Sequence, residues 1–196
     1  MDWLGILFGT LLGVGIDRLI SWLYDRKQAK KVKLQIYRNA YLELRRNIEK
    51  ITTYIDEIGG LYKLADATTA LGKAMELGPP KASWAAFDAL EKCIFLTPKE
   101  FKEISQLDSI TIILDERNAN LEKSWKKYRY GADLIQSVKT IMESLKNTGE
   151  QLVTFYRAFQ KILPSWVRKT DGATSREEDS LIASFARAYN EWGNLE

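Results

Sequence analysis

The sequence predicts an all-α protein in which one N-terminal transmembrane helix continues into a cytoplasmic bundle of about six helices. Three observations carry this expectation. The first 25 residues, MDWLGILFGTLLGVGIDRLISWLYD, are apolar on most sides of a helix and end in aromatic residues. From Arg26 onward apolar residues recur at helical spacing in nearly every segment. The breaks between segments coincide with helix start and stop signals rather than with strand alternation.

The anchor comes first. At 1.5 Å of rise per residue, Trp3 to Trp22 spans about 28 Å, close to the hydrocarbon thickness of a bilayer. Aromatic residues at both ends match the belts found at membrane interfaces. Eleven strongly apolar residues between Leu4 and Leu23 favour insertion by about 5 kcal/mol. Asp17 and Arg18 oppose it, but they lie about 6–8 Å from the Trp22 interface, where snorkelling lowers the cost. Asp2 precedes the apolar run where a secretory signal would carry positive charge, and no small-x-small cleavage site ends it, so a retained anchor is expected. Arg26, Lys27, Lys30, Lys31 and Lys33 follow the span, and no Lys or Arg precedes it. The positive-inside rule then puts the N-terminus outside and the C-terminal part in the cytoplasm, which for a bacterial chain means the inner membrane.

Gly5, Gly9 and Gly13 repeat every fourth residue, and Asp17, Ser21 and Asp25 continue the row. Small residues at this spacing allow close helix approach in lipid, so the row reads as a self-association face and predicts a homo-oligomer. Asp17 and Ser21 are the candidate polar membrane contacts, and in an assembly that encloses water they would line it.

The composition narrows the chemistry. The chain has 196 residues, one cysteine (Cys93) and no histidine. That excludes an internal disulfide, zinc sites of the common Cys/His kinds, Ser-His-Asp triads and Cys-His dyads. No catalytic residue, metal site or cofactor is expected, since no phosphate-binding glycine loop or metal motif is present. The net charge of +3 hides a surplus of +7 in residues 26–50. A basic stretch beside the anchor suits anionic lipid headgroups, whereas a nucleic-acid binder would carry its surplus across the folded domain.

Residues 26–58 contain no Gly or Pro, and Val32, Ile36, Tyr37, Tyr41, Leu44, Ile48, Ile51, Ile55 and Ile58 mark one long helix, with Gly59-Gly60 expected to end it. The anchor is expected to run into this helix without a break. The domains are thus 1–25 (anchor), 26–58 (basic juxtamembrane segment and connecting helix) and 59–196 (bundle). Within the bundle, Leu61–Leu77 forms a short helix closed by Gly78-Pro79-Pro80, and Trp84, Phe87, Leu90, Ile94 and Phe95 mark a third. Thr97-Pro98-Lys99-Glu100 is a capping box with proline at the first helical position. Residues 109–130 continue as helix, although Ile110-Thr111-Ile112-Ile113 favours a strand start. Leu134 to Ile162 gives a long helix with a bend expected near Asn147-Thr148-Gly149. Residues 164–174 form a loop, and Ser175-Arg176-Glu177-Glu178 is a second capping box that opens the last helix.

Two hexamers, Arg38-Asn39-Ala40-Tyr41-Leu42-Glu43 and Arg117-Asn118-Ala119-Asn120-Leu121-Glu122, resemble the Arg-Asn-x-x-x-His motif of the HEPN ribonucleases, whose Arg and His act on the RNA backbone. Glu43 and Glu122 stand where the family has histidine. A carboxylate there adds negative charge where a phosphate would sit, and free glutamate, with a reference pKa of about 4.3, is a poor replacement for the acid/base group, so ribonuclease activity is not expected. The overall layout, a short membrane helix followed by a small helical domain, resembles the membrane accessory proteins of bacterial antiviral systems, including the pore-forming partner of Cas13b-type effectors. That resemblance implies an oligomer that perturbs the inner membrane and a cytoplasmic protein or RNA-guided effector as its partner. The alternative expectation is a non-conducting scaffold whose helical domain recruits a cytoplasmic partner.

Overall fold

The computed structural model describes the backbone of residues 3–128, 133–163 and 175–193, and the side chains of residues 23–63, 65–127, 133–163 and 180–192. Every regular element among the described residues is an α-helix: α1 Trp3–Leu64, α2 Ala67–Leu77, α3 Ala85–Glu91, α4 Pro98–Ser105, α5 Asp108–Tyr128, α6 Leu134–Ile162 and α7 Ser175–Gly193.

The 62 residues of α1 make a rod of about 90 Å. Its C-terminal part is the spine of the bundle: Tyr37, Ala40, Tyr41, Leu44, Ile48, Ile51, Ile55 and Ile58 are all buried, three or four residues apart. The antiparallel partner is α6. Tyr37 stacks on Phe159 with ring centroids 6.4 Å apart, Tyr41 meets Tyr156 at 5.5 Å, and Gly59 faces Met142. α7 lies parallel to α1 and closes this layer through Phe185 and Trp192, the latter edge-on to Tyr62 at 5.2 Å. On the opposite side α5 packs on α6, and Trp125 donates its indole N–H to the Ala74 carbonyl of α2 at 2.8 Å. α3 inserts Phe87 against Phe155 and Phe159.

Gly59-Gly60 does not end α1, which continues to Leu64. A Cβ on Gly59 would stand 3.2 Å from the Met142 methyl and 3.7 Å from the Trp192 ring, so this glycine permits a three-helix contact. The chain turns instead at Ala65-Asp66, where the Asp66 carboxylate accepts from the Thr69 N–H at 2.7 Å and starts α2. Gly78 ends α2 at φ +67° and ψ 174°, an extended positive-φ conformation open to glycine, and its N–H bonds the Ala74 carbonyl at 3.0 Å.

Helix α6 is likewise unbroken through residues 147–149. A Cβ on Gly149 would overlap the Phe185 ring and approach the Ile51 methyl to 3.1 Å, so the residue marks where α1, α6 and α7 cross. The β-favouring run 110–113 is the first part of α5, with Leu114, Leu121 and Trp125 buried. The Thr97 capping box is present in full. The loop 164–174 and the side chains of the second capping box lie outside the described residues.

Among the described residues no helix is long and apolar enough to cross a membrane. The expected span falls on residues 3–22, whose backbone is helical and whose side chains are outside the described set.

Candidate functional site

The stripe of α1 that buries Tyr37, Tyr41 and Leu44 against the bundle extends, three and four residues at a time, back through Lys33, Lys30, Lys27, Arg26 and Leu23. There it changes from apolar to basic. Residues 23–28 and 30–32 are exposed, so this part of the rod projects past the end of the bundle.

Among the described residues the element facing it is the α3–α4 connection. A groove of about 650 Å³ runs between the two, lined by Leu23, Arg26, Lys27, Ala29, Lys30, Lys33, Phe95 and Thr97. The Lys33 ammonium meets the Glu100 carboxylate at 2.5 Å, and both side chains are mostly buried. Glu100 also accepts from the Thr97 N–H at 2.8 Å and the Thr97 hydroxyl at 2.7 Å, so the capping box of α4 is bolted to α1. Burial pushes the Glu100 carboxyl up, but the Lys33 and Thr97 bonds outweigh it and hold the group below its ordinary range.

Of the lipid-facing residues expected from sequence, Arg26, Lys27, Lys30 and Lys33 therefore share one groove, Lys33 with its charge matched by Glu100. Lys31 is exposed but does not line the groove. Gly5, Gly9, Gly13, Asp17 and Ser21 have helical backbone, and their side chains lie outside the described residues.

Sequence reasoning assigned Ile94 and Phe95 to the third helix. α3 instead stops at Glu91, and Leu96 N–H closes a turn onto the Cys93 carbonyl at 3.2 Å, with Ile94 and Phe95 at its tip. Ile94 is 87% exposed and Phe95 42%. Six residues separate Leu90 from the Thr97 cap, enough for a further helical turn, so nothing in the spacing marks the break.

The residues of the two motif-like hexamers have structural roles. Glu43 accepts from the Ser83 hydroxyl at 2.8 Å and the Ala86 N–H at 2.7 Å, capping α3, whose own N-cap residue Trp84 cannot. Asn118 donates to the Ala82 carbonyl at 2.9 Å, and Asn47 bridges the Ser83 backbone from the α1 side. Asn39 is tied to Gln35 and Glu122 to Lys126, both on the surface. Glu43 and Asn118 of the two hexamers thus frame the α2–α3 loop from α1 and α5.

Two other places hold polar groups. Tyr41 and Tyr156 share a buried hydroxyl–hydroxyl bond of 2.9 Å, and burial raises the nearby Tyr37 phenol far above its ordinary range. The N-termini of α2 and α6 open onto an exposed cleft lined by Tyr62, Asp66, Asp133 and Ile135, with both aspartates engaged as N-caps. No group of three or more potential metal ligands occurs among the described residues. Comparisons with protein-family models, with curated proteins and with solved structures return no match.

Proposed function

We propose that this chain is a single-pass membrane protein that self-assembles through its N-terminal helix and perturbs the membrane, with the helical bundle on the cytoplasmic side sensing a partner. The observation that supports this best is the unbroken α1. It joins the apolar stretch before Trp22 to the helix that forms the spine of the bundle core, with no hinge between them. A rigid joint passes a change in subunit arrangement from the bundle to the span, which a flexible linker would absorb.

The chemistry of the two halves agrees. The Gly5, Gly9, Gly13 row suits close packing in lipid, and the basic groove begins one residue past Trp22, at the level of the headgroups. In the assembly Asp17 lines the cytoplasmic mouth of a water-filled path and favours cations. The layout fits a role in antiviral defence, in which an RNA-guided effector or another cytoplasmic protein engages the bundle.

Ion flux from vesicles reconstituted with the full chain tests the reading. Flux that falls in Gly9→Leu and changes cation selectivity in Asp17→Asn supports it. Activity that survives replacement of residues 1–25 by an unrelated anchor contradicts it and favours a non-conducting scaffold.

A further inference from the structure

Among the described residues of α7, Leu181, Phe185, Ala188 and Trp192 are buried. Their spacing is that of a coiled-coil seam, and Ile51, Ile55, Ile58 and Tyr62 repeat it on α1 alongside. The two aromatic residues, one heptad apart, enter two glycine notches. Phe185 fills the space a Cβ on Gly149 would take, and Trp192 stands 3.7 Å from a Cβ placed on Gly59. Polar ties lie at the edge of this interface: Lys63 meets Glu191 at 3.8 Å with both side chains partly exposed, and the Lys146 ammonium sits 4.2 Å over the Tyr189 ring. Exposed pairs of this kind contribute little, so shape decides what the groove between α1 and α6 accepts. It accepts a helix parallel to α1 with aromatic residues seven apart.

The connection to α7 is longer than its place requires. Phe185 lies opposite Gly149, and from that level α6 runs about 20 Å to Ile162 while α7 begins about 15 Å away, at Ser175. With packed helices 8–10 Å apart, the gap to be closed within one molecule is about 10 Å. Antiparallel helices so close need a loop of about 2–5 residues. Residues 164–174 extend to about 36–40 Å, more than the diameter of a small domain. That tether delivers α7 to a neighbouring molecule as readily as to its own. In an assembly whose N-terminal helices pack side by side, the unbroken α1 of every copy points the same way and carries its groove at the same height. A neighbour's α7 then enters parallel to α1 and makes the same contacts, so exchange gives up none of them.

We infer that α7 is exchanged between copies of this chain, Phe185 and Trp192 of one filling the Gly149 and Gly59 notches of the next. The inference rests on the self-assembly reading above and extends it: the bundles are interlocked as well as the spans.

The test uses the full chain in mild detergent, with Cys93→Ser to remove the single cysteine. Lys63→Cys and Glu191→Cys, on partly exposed residues in contact, are placed in separate, differently tagged chains that are co-expressed and treated with a short bismaleimide. A covalent product carrying both tags, given by neither variant alone, is expected. With both substitutions in one chain, exchange predicts covalent multimers, whereas closure within a molecule gives a cross-linked monomer. Cross-linking confined to single chains, or none, in a sample that light scattering shows to be oligomeric overturns this inference alone. A monomeric sample overturns the self-assembly reading and the inference with it.

Discussion

Gly149 offers a sharp test of how the bundle is assembled. It sits in the middle of α6, where intrinsic propensity disfavours glycine by about 1 kcal/mol relative to alanine. The structure gives a reason for it: a Cβ would overlap the Phe185 ring of α7 and crowd Ile51 of α1, and Phe185 is itself buried. Gly149→Val adds three carbons at this crossing. Overpacking of a filled core costs about 1–3 kcal/mol, and three carbons against a ring fixed on two sides belong at the upper end. A small gain in propensity leaves a net loss of about 2–3 kcal/mol. For a chain of this size that lowers the melting temperature by roughly 4–12 °C. Gly60→Ala is the matched control, because no atom stands within 4 Å of the added Cβ; it should raise stability by about 0.4–1 kcal/mol. Thermal unfolding followed by circular dichroism reads both. A Gly149→Val variant as stable as the parent would refute the packing of α7 across α1 and α6.

Other expectations follow from the same contacts. Trp125→Phe keeps an aromatic ring, though a smaller one, but removes the buried bond to the Ala74 carbonyl, and denaturant titration should show a loss of about 1–3 kcal/mol. Glu43→Ala uncaps α3 and should cost about 1 kcal/mol, with amide exchange faster at Ala86 than in α6. Because the folded-state Glu100 carboxyl titrates below its unfolded value, its contribution is fully present above the ordinary glutamate range, near pH 4–5, and is lost as pH falls through the lower folded value. Acid titration of Glu100→Gln should therefore lack part of the stability loss that the parent shows below that range.

Much of this architecture could be read from residue spacing. Tyr37, Tyr41, Leu44, Ile48, Ile51, Ile55 and Ile58 repeat with the helical period and are buried, because a 3.6-residue period leaves one stripe for the core. The Thr97 to Glu100 capping box is local chemistry and formed as read. The misreadings share a cause. Gly59-Gly60 and Gly149 look like stops or bends when only local propensity is weighed, yet Gly59 and Gly149 each make room for a side chain from α6 or α7, information held more than 30 residues away. The Ile110–Ile113 run shows tertiary packing overriding β propensity, with α5 continuous and Leu114 buried against its neighbours. The basic stripe of the candidate site was legible as charge. Its far wall was not, because Ile94 and Phe95 read as one more turn of an amphipathic helix, and only the early end of α3 exposes them.

The most direct test of the proposed assembly is the molar mass of the full-length chain in mild detergent, by light scattering after size exclusion, beside the Gly9→Leu variant. A defined oligomer that dissociates on substitution is the predicted result. A monomer, or an oligomer indifferent to Gly9, would contradict it and reduce the first 25 residues to a tether.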